Sequence, residues 1–129
     1  MTEFRNFIDG RFVSGRGDGF ANHFPTTGEV IGEIRAADKA QVDQAVGAAR
    51  AALKGPWGRM SVPERIGLLR KLAEGINARF DDFLAAEIRD TGKPVTLASH
   101  IDIPRGAANF NVFADQILTA STETFEMAT

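Results

Sequence analysis

The sequence predicts an α/β fold in which an N-terminal β-hairpin and one further strand lead into three amphipathic helices. Three observations carry that reading. An Asp9-Gly10 pair sits between two short apolar runs, which is the signal of a two-residue hairpin turn. Two capping boxes stand at the heads of long segments whose apolar residues recur at helical spacing. Glycine and proline then close the first two of those segments.

Residues 4–13 read as the two hairpin strands, because a type I′ turn needs positive φ at both central positions and Asp-Gly tolerates that. Residues 14–19, Ser-Gly-Arg-Gly-Asp-Gly, read as a flexible loop. Their glycines fall at 15, 17 and 19, which is not the dinucleotide-binding spacing, and no helix follows. Phe24 to Glu29 has turn chemistry ending in Gly28, and Val30 to Ile34 reads as a strand. Asp38 caps the first helix with Gln41 three residues on; Val42, Ala45, Val46, Ala49 and Leu53 form its stripe, and Gly55-Pro56 ends it.

The second helix opens at Ser61 with Glu64 as its capping partner. One stripe, from Ile66 through Leu69, Leu72, Ala73, Ile76, Phe80, Phe83 and Leu84 to Ile88, predicts a single helix ending at Gly92. Trp57 is expected to pack as core between these two helices, and Asp81-Asp82 to lie on a solvated face. The third helix starts near Asp102, with Pro104 tolerated in its first turn. Ile103, Ala107, Phe110, Ala114 and Ile117 form its buried stripe. The tail from Thr119 to Thr129 reads as the start of a strand.

Composition bounds the function. The chain has 129 residues, 43% hydrophobic and 25% charged, which is the make-up of one globular unit with no internal boundary. A net charge of −2 leaves no electrostatic footprint for nucleic acid or an anionic membrane. No apolar run spans a bilayer, no signal pattern opens the chain, and there is no cysteine for a disulfide, so a cytoplasmic protein is expected. His23 and His100 have no second ligand at metal spacing. The strands are too few to close a sheet, and the helices carry more apolar surface than they can hide against one another. The unit reads as a layer that packs on something else.

Five ordered blocks carry a resemblance. They are Phe7-Ile8-Asp9-Gly10-Arg11-Phe12-Val13, Pro25-Thr26-Thr27-Gly28-Glu29-Val30-Ile31, and Val46-Gly47-Ala48-Ala49-Arg50-Ala51-Ala52-Leu53. Trp57 with Pro63-Glu64-Arg65 and Leu68-Leu69 follows, and then Asp90-Thr91-Gly92-Lys93-Pro94. In this order they resemble the N-terminal part of the NAD(P)-dependent aldehyde dehydrogenases. The stretch from His100 to Phe110 narrows the likeness to the 2-hydroxymuconic and 2-aminomuconic semialdehyde dehydrogenases of aromatic catabolism. The resemblance implies that the chain is the outer part of an incomplete Rossmann-like cofactor domain, covering roughly the first quarter of a homo-oligomeric, NAD-using enzyme.

The chemistry implied by that family is attack of a cysteine thiolate on the aldehyde, hydride transfer to the nicotinamide, and thioester hydrolysis. With no cysteine present, the reacting thiol is expected beyond position 129, as are nearly all direct cofactor contacts. Arg105 matches a position that lines the substrate tunnel in the family. A guanidinium fork suits the carboxylate that muconic semialdehydes carry at the end remote from the aldehyde. Taken alone, a lone helix arginine reads as a solvated charge. Asn109, one turn on, is a second candidate for the tunnel wall, against the reading of a surface amide. Asp90 matches a position that ligates a structural monovalent cation in relatives; its plainer reading is a loop aspartate. Two alternatives stand beside this: a dehydrogenase for another aldehyde, of betaine or phenylacetaldehyde type, and a stand-alone helical binding module with no redox role.

Overall fold

The computed structural model describes residues 2–120. The Asp9-Gly10 turn forms as its chemistry requires, with φ of 51° and 75° at the two positions. It joins β2 (Asn6–Ile8) to β3 (Arg11–Val13), paired antiparallel as Asn6 with Val13 and Ile8 with Arg11. Phe4 is not part of this hairpin. It ends β1 (Thr2–Phe4), which pairs parallel with β5 (Val30–Arg35). The other edge of β5 takes β4 (Gly19–His23) antiparallel, so the main sheet runs β1-β5-β4. The sequence reading has no strand at 19–23: Gly19, Asn22 and His23 have weak strand preference, and the pairing with β5 overrides it.

The loop from Ser14 to Asp18 is held rather than flexible. Gly17 donates to the Ala36 carbonyl and Ala36 to that of Asp18. Gly15 lies so close to the Arg35 carbonyl that an added Cβ would overlap it. These glycines serve close packing against the end of β5, not a phosphate.

Helix α1 (Lys39–Ala52) begins with the expected Asp38–Gln41 capping box. It touches β2 and α2 but leaves much of its apolar face open among the described residues: Val42, Val46 and Leu53 are all exposed. The short α2 (Pro56–Arg59) carries Trp57, which is 40% exposed rather than core; the Arg65 guanidinium lies 5.4 Å over its ring. Helix α3 (Val62–Ala78) begins with the Ser61–Glu64 box.

The predicted second helix is two. Arg79, at φ −116° and ψ 30°, breaks it between α3 and α4 (Phe80–Thr91), and Arg79 Nε meets Asp82 Oδ2 at 3.0 Å. Asp81 and Asp82 thereby stand in the first turn of a new helix, where its dipole favours acid. Gly92 ends α4 in the left-handed conformation, as its position predicts.

The last helix starts at Asp102–Ile103 as expected, but helical turns that the sequence reading lacks run into it. A single turn α5 (Val95–Leu97) runs through a π-turn (Ala98–Asp102) into α6 (Ile103–Leu118). The core lies mainly between α3 and α6, where Ile66 and Ala73 meet Ala107 and Ala114; the small alanines let the two backbones approach. Ile103, Ala107 and Ala114 are buried as predicted. Phe110 is only partly covered, and Ile117 is 46% exposed. The strand expected in the tail lies almost wholly outside the described residues.

Candidate functional site

At about 100° per residue, Ile103, Ala107 and Ala114 fall on one side of α6 and turn it toward α3. Arg105 follows Ile103 by two positions, which carries its side chain roughly 200° round, to the opposite side. Asn109 lies one turn on, on the same strip, and both residues are exposed. Exposed apolar side chains stand beside them: Ile101, Val112 and Phe113 are 47%, 53% and 66% exposed. Among the described residues Arg105 has no ion-pair partner. A guanidinium without an acidic partner beside exposed apolar side chains can pair with the charged end of an amphiphilic anion.

Asp90 lies elsewhere. It closes the last turn of α4, where the helix dipole disfavours a carboxylate, and Asn22 Nδ2 of β4 donates to its Oδ1 at 2.8 Å. Together they form the polar rim of an open groove of about 630 Å³ between the sheet and α4, floored by Phe4, Ile31, Phe83 and Ile103. Ile103 faces this groove and Arg105 does not, so the three expected site residues divide into two places. No group of three or more His, Asp or Glu side chains able to hold a metal occurs among the described residues.

Two features escape a reading of spacing alone. Lys93 Nζ joins Asp102 Oδ2 at 2.8 Å and Glu87 Oε1 at 3.2 Å, linking α4 to the π-turn. The Asp102 bond, then the Glu87 bond, hold its ammonium pKa above the ordinary lysine value. Gln41, recognisable as a capping partner, is also buried (2% exposed) and pins the 14–18 loop: Arg16 N donates to its Oε1 at 2.8 Å, and its Nε2 donates to the Ser14 carbonyl at 2.9 Å.

In sequence and in fold the chain is similar to proteins of one family. The family model for the aldehyde dehydrogenase family matches residues 12–129. The chain is 60% identical over 130 residues to a 2-hydroxymuconic semialdehyde dehydrogenase of Pseudomonas sp. (strain CF600), covering 100% of this chain and 27% of that protein. It is 42% identical over 127 residues to a 2-aminomuconic 6-semialdehyde dehydrogenase of Pseudomonas sp, covering 98% of this chain and 26% of the other. The NAD+ complex of an aldehyde dehydrogenase from Bacillus cereus superposes with a TM-score of 0.92 at 32% identity, over 98% of this chain and 26% of that one. The chain spans about a quarter of the length of the relatives it matches.

Proposed function

This chain belongs to the aldehyde dehydrogenase family, and from that premise we propose that it forms the N-terminal portion of the cofactor domain of an NAD-dependent enzyme. The substrate we assign is a carboxylated semialdehyde of the 2-hydroxymuconic type, oxidised to the acid in the breakdown of aromatic compounds. The observation that carries the assignment is Arg105: an exposed cation without an acidic partner among the described residues, set on α6 beside exposed apolar side chains. A semialdehyde with a terminal carboxylate offers an apolar body and a charged end, which can pair with that arrangement. The names of the relatives support the same class of substrate.

Within the complete protein the role of this chain is to bind and orient. Arg105 holds the carboxylate and so fixes how deep the aldehyde end reaches; Asn109 lines the wall one turn further on. NAD supplies the hydride acceptor when bound. The glycines at 15 and 17 pack on Arg35 and Ala36, which leaves their loop no room to cradle the cofactor's phosphates. The thiol that attacks the aldehyde also comes from outside it, because the chain contains no cysteine. Asp90 enters as one oxygen ligand of a structural monovalent cation. No described helix is long and apolar enough to cross a membrane, and we place the enzyme in the cytoplasm as a homo-oligomer. The open faces of α1 and of the hairpin, with Val42, Val46, Leu53, Phe7 and Phe12 all exposed, speak against a self-sufficient binding module.

The complete protein is expected to reduce NAD with 2-hydroxymuconic semialdehyde and to turn over neutral aldehydes less efficiently, while the 129-residue chain alone reduces none. A complete protein that preferred neutral or cationic aldehydes would overturn the substrate assignment.

A further inference from the structure

We propose that Lys93 is a positioning residue for substrate selection: by tying α4 to the end of the π-turn, it sets the rotation with which α6 presents Arg105. The proposal rests on the carboxylate role of Arg105 given above.

The helical run from Val95 to Leu118 changes its winding just before Arg105. Ile103 N donates to the Ala98 carbonyl, five residues back, where an α-helix would use Ser99. The next residue is Pro104, which has no N–H and whose ring presses on the carbonyl four residues back. One wider turn relieves that conflict. The Thr96 carbonyl is met by side chains, with Ser99 Oγ at 3.3 Å and His100 Nδ1 at 2.9 Å.

The turn has a consequence for facing. In an unbroken α-helix, residues five apart point about 140° away from each other. Here Ala98 and Ile103 are both buried, at 0% and 9% exposure, because the extra residue in the turn brings them onto one side. Ile103 then sets Ala107 and Ala114 inward and Arg105 outward. Loss of the π-turn would rotate α6 against the segment that anchors it, and the guanidinium would move with it.

Lys93 is placed to hold that turn. Asp102 is its last residue, Glu87 belongs to the last turns of α4, and the Lys93 ammonium bonds both. The three side chains are 28–38% exposed, whereas those of the other ion pairs among the described residues are 49–89% exposed. With the ammonium removed, Glu87 and Asp102 are two carboxylates on facing elements with no cation between them, and their repulsion acts directly on the turn that phases Arg105.

The test uses the complete enzyme with 2-hydroxymuconic semialdehyde and a neutral aldehyde, hexanal, for Lys93→Met, Lys93→Arg, Arg105→Ala and the Lys93→Met/Arg105→Ala double variant. Lys93→Met is expected to raise KM for the carboxylated substrate about fivefold to tenfold, with kcat, and both constants for hexanal, within about twofold. Lys93→Arg should recover most of the loss, and Lys93→Met should add nothing once Arg105 is gone. Parallel losses on both substrates, or additive losses in the double variant, would overturn the positioning role and leave Lys93 a general stabiliser. Arg105→Ala supplies the separation from the underlying reading: equal effects on both substrates in that variant alone refute the carboxylate clamp itself. If Lys93→Met fails to fold, Asp102→Asn, which keeps the Lys93–Glu87 pair, is held to the same KM split.

Discussion

Replacing Gln41 by alanine should loosen one specific loop. The Gln41 side chain accepts from Arg16 N at 2.8 Å and more weakly from Asp38 N at 3.4 Å, and donates to the Ser14 carbonyl at 2.9 Å, all under nearly complete burial. Each well-formed bond contributes about 0.5–1.5 kcal/mol net, and a donor or acceptor left buried without a partner costs about 1–3 kcal/mol. The alanine variant loses both good bonds and the long one, and partial entry of water offsets some of the penalty. The expected cost is about 2–4 kcal/mol for holding the 14–18 loop on α1. Amide hydrogen exchange at Arg16 in the complete protein reads this directly. At about 1.4 kcal/mol per tenfold, the Arg16 amide should exchange at least about 30-fold faster. Gln41→Met, which keeps the volume and removes the bonds, should behave like the alanine variant. An unchanged Arg16 rate in either variant would refute the reasoning, because the loop would then be held by the Gly17–Ala36 and Ala36–Asp18 bonds alone.

Ala114 is fully buried where α6 meets α3, so Ala114→Leu should overpack that interface and lower stability by about 1–3 kcal/mol, read by denaturant unfolding; a neutral result would mean that the helices are not in close contact. Bonds from the Ser61 backbone and hydroxyl hold the Glu64 carboxyl below its ordinary pKa. The unfolded chain therefore binds more protons in that range, and the stability gained is fully present above about pH 4.3 and is lost as pH falls through the depressed folded value. The Tm gap between the parent and Glu64→Gln should accordingly be widest near neutrality and shrink in acid; a gap independent of pH would contradict it. Asp90→Asn should abolish any Tm difference between potassium and choline buffers, and a difference that survives the substitution would place the monovalent cation elsewhere.

Where local chemistry decides, the sequence was readable. Asp9-Gly10 predicted its turn because few residues tolerate positive φ in succession, and Asp38 with Gln41 and Ser61 with Glu64 predicted two helix starts because each cap is satisfied within four residues. Where partners are distant, it was not. Phe4 looks like hairpin, yet it pairs with Ile34 across the sheet, and β4 has no pattern of its own until β5 supplies one. The break at Arg79 is invisible to periodicity, since Ile76 before it and Phe80 and Phe83 after it continue one apolar stripe.

The candidate site divides the same way. The exposed placement of Arg105 was legible because it stands opposite the stripe of Ile103, Ala107 and Ala114. Lys93 was not, because its carboxylate partners lie on two different elements whose approach depends on the π-turn. Asp90 was legible as a carboxylate at a helix end, while its bond to Asn22 depends on a strand absent from the sequence reading.

The central claim, that this chain supplies the carboxylate grip of a semialdehyde dehydrogenase, is tested most directly by one ratio. It is kcat/KM for 2-hydroxymuconic semialdehyde over kcat/KM for a neutral aldehyde, measured in the complete enzyme with Arg105 and with Arg105→Ala. Loss of a charge-assisted bidentate contact of about 2–3 kcal/mol predicts a fall in that ratio of roughly 30-fold to 150-fold, carried mainly by KM for the carboxylated substrate. A ratio that stays constant would contradict the claim.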